Sequence, residues 1–367
     1  MADRILTLRE LNRATLARQM LLERETLPVP AAIERLVGLQ AQVPLPPSIG
    51  LWTRSHDFKR EDLTKLIDDR AVVRATFIRA TLHVLTAADY LRLRATVQRA
   101  LVQASETIVK QRGYDKLDIP DLLDVARRYI GEKPRTFAEI SKEFSELHPN
   151  VDIGAIRYSI RTQLPLIQVP DSSQWRYPSA PKFTLAEDWL GKPIPTEENL
   201  RALVFRYLAA FGPASVTDIQ TWSGITGLKD EIEALKPELV TYRNEQRTEM
   251  LDIPDVPLPD PDMPAPVRFL PEFDNLLLSH AKRTRVIADA HRKKVYLPGL
   301  RVAATFLVDG FVAGVWKIEK KKGVAALVIE PFERLTKNNR DALAEEGEQL
   351  VRFVLSDAKT FEVTFVD

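Results

Sequence analysis

Cysteine is absent from this 367-residue chain. That excludes a disulfide framework, a thiolate nucleophile and a cysteine-ligated zinc or iron–sulfur site. Histidine is scarce: His56, His83, His148, His280 and His291 are scattered, with no HExxH or other close metal spacing. Neither a protein-built metal site nor any cofactor is expected. Apolar runs never reach the roughly 18 residues a membrane span needs, and no apolar segment follows the first residues as a secretory leader would. The expected compartment is the cytoplasm. A global excess of one charge is also lacking, since 52 Lys and Arg face 51 Asp and Glu for a net charge of +1. This balance neither demands nor excludes a nucleic acid, because an electrostatic footprint is local.

The local charge is uneven. Lys282, Arg283, Arg285, Arg292, Lys293 and Lys294 stand against Asp289 alone, whereas residues 252–274 are acidic with only Arg268 in opposition. The basic stretch is a candidate for phosphate contact; the plainer reading is a solvated, salt-laced face.

The length suits about two to four domains. Residues 9–23 show near-helical apolar spacing, and Pro30 suits the start of a second helix. A third is expected over Arg60–Asp68, then an extended hairpin over 72–84 and a helix over 87–111. The same order recurs twice. Helices are expected over 119–130, from the capping-box pair Thr136 and Glu139, and over 152–162, followed by strands at 166–169 and 175–177. The third copy has a helix capped by Thr196 and ending at Phe211, one capped by Ser215, one over 228–235, and strands at 239–243 and 248–251. Helices followed by a short hairpin are the order of a winged helix. Residues 252–271 read as a proline-rich linker. The tail reads as strands at 303–308, 311–318 and 325–329, a helix over 333–350, and strands at 351–355 and 361–366, with Asp309-Gly310 as a hairpin turn.

The expected fold is α+β: three tandem winged-helix units plus a C-terminal mainly β domain. The expected boundaries are 1–115, 116–192, 193–264 with its linker, and 265–367.

Two glutamines, Gln40 and Gln42, follow the second expected helix and precede the run Pro44, Pro46 and Pro47. Glutamine is neither acid nor base, but it donates and accepts hydrogen bonds at once. It can hold a water or read a base edge, and is weak equipment for a difficult hydrolysis. A substrate of such a pair must arrive with a good leaving group. The plain structural reading is that both cap helix ends. For His83, between Leu82 and Val84, a structural role is as well supported as a functional one. Arg157 and Arg161, at i and i+4, share a helix face and suit either a DNA phosphate or water. Trp52, Phe77 and Trp316 are expected in the core.

The motifs Gly38-Leu39-Gln40-Ala41-Gln42, Gly50-Leu51-Trp52-Thr53-Arg54, Arg79-Ala80-Thr81-Leu82-His83, Leu270-Pro271-Glu272-Phe273-Asp274-Asn275-Leu276 and Leu307–Trp316 together resemble a bacterial family of tandem winged-helix DNA glycosylases, which act on bulky alkylpurine adducts and interstrand cross-links. The likeness covers nearly the whole chain and implies that the three winged-helix units stand in a concave, C-shaped arrangement. It implies that Gln40 and Gln42 are catalytic, in the glutamine-x-glutamine branch associated with cross-link unhooking and self-resistance in antibiotic producers. Two departures stand out: the family commonly has glycine at the place of Ala80, and arginine at the place of Leu297.

The resemblance implies a monofunctional, metal-independent N-glycosyl hydrolase, a monomer acting on N7-alkylguanine or cross-links in double-stranded DNA. His83, Arg157, Arg161 and the six cations from Lys282 to Lys294 are its expected DNA contacts. The alternative is a non-catalytic winged-helix DNA-binding or regulatory protein, in which both glutamines are structural.

Overall fold

A computed structural model describes residues 4–114, 117–321 and 323–366. The chain's first residues and the expected unit boundary at 115–116 lie outside them. The fold is α+β, and three of the four sheets among the described residues organise it.

The first sheet ties the start of the chain to its middle. Ile5–Leu6 runs parallel to Val240–Asn244, which pairs antiparallel with Glu249–Asp252. Thr7 and Glu10 then form a capping box that opens the helix Leu8–Arg18. Arg18 at its end pairs with buried Asp252 of the strand Glu249–Asp252, 2.6 Å away, and the same guanidinium donates to the Leu208 carbonyl of the neighbouring helix Leu200–Phe211, locking that helix in place.

The second sheet has six strands in the order Leu39–Gln40, Leu82–Thr86, Val72–Thr76, Leu166–Gln168, Lys182–Leu185 and Arg135–Thr136. Ala75 pairs with Ile167 at its centre. One hydrogen-bonded ladder therefore runs from the glutamine loop into the segment that begins at 117. The long helix Ala87–Gln111 crosses to the same segment and packs on Ile153–Gln163, where Ser105 and Ser159 share a buried hydroxyl hydrogen bond of 2.9 Å.

In the third sheet, Arg268–Leu270, Thr305–Val308, Phe311–Lys321 and Val324–Pro331 are antiparallel neighbours, and Thr360–Phe365 closes the edge in parallel. Helix Lys337–Val354 covers one face through Leu343, Leu350 and Val351 against Phe269 and Leu327. Asp309 (φ 46°) and Gly310 (φ 80°) make the tight turn, as their order in sequence leads one to expect.

Several boundaries depart from the sequence pattern. Pro46–Trp52 is a helix, because both prolines sit in its first turn, where no amide is missed. The strand expected at 175–177 lies instead at Lys182–Leu185; Tyr177 is buried, with the Arg74 guanidinium 4.9 Å over its ring. The helix ending at Phe211 begins at Leu200 with Asn199 as its cap, not Thr196. Residues 351–355 form no strand, since Val351 and Val354 continue the apolar face of the last helix. The proline-rich linker ends in a strand, Arg268–Leu270. Phe77 is fully buried, and Trp316 is buried with its indole N–H shared between the Leu270 and Thr305 carbonyls. Trp52 is half-buried and stacks on Phe353 at 5.9 Å.

Candidate active site

The glutamines sit on a loop whose shape begins with two left-handed residues, Val37 (φ 54°) and Gly38 (φ 83°). A side chain on Gly38 would stand 3.1 Å from the Val84 carbonyl, so glycine is favoured there for space as well as for its φ. The chain then enters the sheet as Leu39–Gln40, with Gln40 opposite His83. The Ala41 amide donates to the Leu82 carbonyl at 2.7 Å, and the strand ends there.

Distant groups hold this backbone. Arg74 donates to the Ala41 carbonyl at 2.9 and 2.6 Å and to the Gln42 carbonyl at 3.1 Å. Burial pushes its pKa down to about 10, still well above neutrality, so the clamp is charged. From the other side the Asn275 amide donates to the Leu36 and Gly38 carbonyls at 3.1 and 2.6 Å. Asn275 is positioned by Asp274, which caps the Leu276 amide and accepts two hydrogen bonds from Arg54, both side chains 1% exposed. The motif 270–276 is thus a brace for the glutamine loop.

Gln40 is buried, and its carbonyl oxygen accepts from Arg79 Nη2 at 2.8 Å. Because a guanidinium only donates, this contact fixes the orientation of the amide and leaves its N–H₂ group outward. Arg79 Nη1 donates to the Trp222 carbonyl at 2.6 Å. Arg79 and Ala80 are both left-handed at φ 55°, and a Cβ on Gly224 would meet Arg79 Cα at 3.3 Å. The helix end at Ser223 therefore buttresses the turn that orients Gln40. Burial, then the charge of Arg283, lowers the Arg79 pKa to about 10.

Gln42 differs. Its side chain is exposed, and its carbonyl oxygen takes one hydrogen bond of 3.2 Å from the Leu82 amide. One lone pair remains for another donor. It stands at the rim of a cavity of about 920 Å³. Arg157 and Arg161 line the same cavity, so the structure brings both helix-face arginines to the cavity that Gln42 borders. Their guanidiniums lie 5.1 Å over the rings of Phe137 and Tyr158 respectively, and Arg161 reaches the Ala80 carbonyl at 3.4 Å.

His83 is not a phosphate contact. It is 3% exposed, its Nδ1–H donates to the Thr81 carbonyl at 3.1 Å, and its ring meets Phe77 edge-on. Burial and the nearby Arg79 charge drive its pKa to about 3, so it is neutral and supports the loop.

The basic stretch divides. Arg285 is buried, donating to the Pro213 carbonyl and Thr15 Oγ1 and screened by Asp218, so it leaves the expected DNA contacts. Arg283 stacks 4.3 Å over Tyr296 on the side of Arg79. Lys282, Lys293 and Lys294 are exposed, and Arg292 reaches Asp289 at 3.4 Å. The hairpin Tyr296–Leu297 and Arg301–Val302 follows, with Leu300 at its tip 94% exposed.

Sequence reasoning missed Arg74, Arg79 and Asn275 as members of the site. Arg79 and Asn275 lie inside motifs already singled out; their internal hydrogen bonds had no linear signal. Among the described residues no cluster of His, Asp or Glu is arranged to hold a metal, and no helix is long and apolar enough to cross a membrane.

A family model described as DNA glycosylase AlkZ-like matches residues 33–353. The interstrand DNA cross-link repair glycosylase of Streptomyces sahachiroi is 23% identical over 345 residues, covering 87% of this chain and 89% of that protein. The solved structure of the Streptomyces sahachiroi DNA glycosylase AlkZ superposes with a TM-score of 0.79 at 22% identity, over 99% of this chain and all of that one, a likeness of fold.

Proposed function

We propose that this chain, which belongs to the DNA glycosylase AlkZ-like family, is a monofunctional glycosylase that hydrolyses the N-glycosidic bond of bulky or cross-linked N7-alkylguanine in duplex DNA. The observation that carries this reading is the asymmetric glutamine loop: Gln40 is locked by Arg79, while Gln42 presents a free lone pair at an open cavity.

N7-alkylation leaves guanine cationic, so C1′–N9 is already weak. As that bond breaks, its electron pair enters the purine, which departs neutral, and the sugar gains oxocarbenium character. Water then adds to C1′ and loses a proton to solvent. The leaving group needs no protonation, and the protein's task is orientation and electrostatics. In this reading the Gln42 carbonyl aligns the water. The outward Gln40 N–H₂ group contacts the lesion or the same water. N7 opens to the major groove, and a cross-linked base cannot be swung fully into a closed pocket, so an open site suits it better than base flipping.

The finer organisation belongs to the same reading. Three winged-helix units, 1–115, 116–192 and 193–264, with a β-rich unit over 265–367, form a concave body for the duplex. Arg157, Arg161, Arg283 and the exposed lysines supply phosphate contacts that add affinity without choosing sequence. The protein works as a monomer in the cytoplasm, beside the nucleoid.

Purified protein is incubated with duplexes carrying N7-methylguanine, a bulky N7-adduct or an N7 cross-link, and released base and alkali-labile abasic sites are measured. Release of modified base is expected. No release from any of the three substrates removes the enzyme reading, and enrichment of one undamaged sequence from a random library would install a regulator in its place.

A further inference from the structure

The helix Val216–Ser223 ends against the Arg79 turn and begins about 12 Å away. At its start lies a cavity of about 220 Å³ that shares no residue with the one beside Gln42. Buried Leu11 and Met250 form apolar wall. The volume is below the roughly 300–1,000 Å³ of sites for drug-sized molecules, so it suits a small ion with a few waters.

The groups that face it are mostly donors. The capping box of Ser215 and Asp218 occupies the Asp218 amide, while the Val216 and Thr217 amides have no partner among the described residues. A helix start of this kind favours an anion. Arg285 is the independent sign of a ligand. It is 5% exposed, and its guanidinium donates only from Nη1, to Thr15 Oγ1 and the Pro213 carbonyl. Nε and Nη2 have no partner among the described residues, yet neither is sealed from solvent, in contrast to Arg18 Nε. Their N–H groups remain for a ligand in the cavity that Arg285 lines.

Lys282, Thr217 and Thr284 are exposed on its rim. Asn244 turns its carbonyl oxygen to the Gln246 and Thr248 amides, which leaves its N–H₂ group for another acceptor. Asp218 is the one acid in the lining, and both its oxygens are engaged, Oδ1 by the Ala281 amide and Oδ2 by the Ser215 amide and hydroxyl. Two cations, Lys282 and Arg285, against that one acid leave the lining a single positive charge in excess.

We propose that this cavity binds a small free oxyanion with at least three unsubstituted oxygens, either inorganic phosphate or a phosphate monoester. Its oxygens meet Arg285 Nε and Nη2, the helix start with Thr217, and Lys282 with Thr284. A DNA backbone phosphate has two free oxygens and is tied to its chain on both sides, so it does not satisfy donors that converge on a small cavity. The bound ion sits at one end of the helix whose other end holds Arg79 through the Trp222 carbonyl. The proposal is independent of the glycosylase reading.

The test is equilibrium dialysis of the full chain against radiolabelled inorganic phosphate, with saturating undamaged duplex present to occupy the phosphate sites that face DNA. One saturable phosphate per chain is expected to remain. Unlabelled methyl phosphate should displace it as phosphate does, and dimethyl phosphate at least about tenfold less well, since it lacks oxygens for the charged donors. Lys282→Ala combined with Thr217→Val, both at exposed positions, should weaken binding about tenfold, and Lys317→Ala in the third sheet should leave it unchanged. Phosphate should raise the melting temperature of the parent more than that of the double variant, a comparison that cancels the general stabilisation given by an excluded anion. No saturable phosphate in the presence of duplex overturns the proposal, and so does an affinity unchanged in the double variant. Displacement by dimethyl phosphate as strong as by methyl phosphate also overturns it and assigns the cavity to the DNA backbone.

Discussion

Gln40 and Gln42 are the same residue type one position apart, and the fold treats them as opposites. Gln40 is buried in a strand, its carbonyl held by Arg79, which in turn is held by the Trp222 carbonyl. Gln42 is exposed past the strand end, with only its backbone clamped and a 3.2 Å contact from Leu82 at its side chain. The difference teaches that a paired motif need not be a pair of equal workers. On the proposed reading, one glutamine sets geometry and the other meets the reacting groups.

The sharpest way to break that division is Gln42→Ala. Base release should fall about 10²-fold, the scale of losing one preorganised polar group in a transition state. Stability should stay within about 0.5 kcal/mol, as for exposed positions. Single-turnover release and urea unfolding on one preparation check both halves. Comparable losses in rate and stability would make Gln42 structural.

Arg79→Met attacks the other side. It leaves the Gln40 and Trp222 carbonyls without their donor, so stability should fall by about 1–3 kcal/mol. Release should fall along with it, because the Gln40 amide is free to turn. Unfolding midpoints paired with release rates measure this, and unchanged release would show that Gln40 needs no orientation. Asn275→Ala should cost a similar or slightly smaller amount of stability, through the Leu36 and Gly38 carbonyls, although it lies in another motif.

The two glutamines were legible in the sequence, and so was their neighbourhood, because motif spacing and polarity survive in one dimension. Most helices were legible as well: the Thr136–Glu139 capping box and the Ser215 cap are local hydrogen bonds with local signatures. What was hidden is long-range. Nothing near Gly38 announces Asn275, which is 237 positions away. A single-residue register such as Ala75 with Ile167 leaves no periodicity to read. Local charge misled in the same way at Arg285, which is buried beside Asp218 while nearby Lys282 is exposed. The helix Pro46–Trp52 was masked by prolines that read as breakers but serve as a first turn.

Acid sharpens the contrast between support and chemistry. The buried His83 is held near pKa 3, below its ordinary 6.5, so the unfolded chain takes its proton first. Its stabilising contribution is complete above about pH 6.5 and is lost as pH falls toward 3, by up to about 1.4 kcal/mol per pH unit. Buried His280 is shifted in the same direction and steepens the decline. Urea midpoints between pH 7 and 4 should fall, with a shallower slope in His83→Gln. Base release by folded protein should stay flat from about pH 6 to 9, since neither glutamine titrates; a titration in that range would point to a different working group.

The smallest effect is expected at Ala80. Its left-handed φ of 55° costs a non-glycine residue about 1–2 kcal/mol, and glycine gives back part of that gain as freedom in the unfolded chain. Ala80→Gly should therefore be more stable by no more than about 1 kcal/mol, with release unchanged. A marked loss of stability would mean that the buried methyl group matters more than the backbone.

The brace from Asn275 to the glutamine loop also sets an order of events in the life of the chain. Synthesis delivers Gln40 and Gln42 early, and Trp222 and Asn275 much later. Until the ribosome has passed Asn275, neither the Gly38 carbonyl nor the Asp274–Arg54 pair beneath it has its partner. A chain cut short by a nonsense codon before that point carries both glutamines without the frame that holds them, so on the proposed reading an agent that breaks bonds in the genome is armed only once most of it has been made.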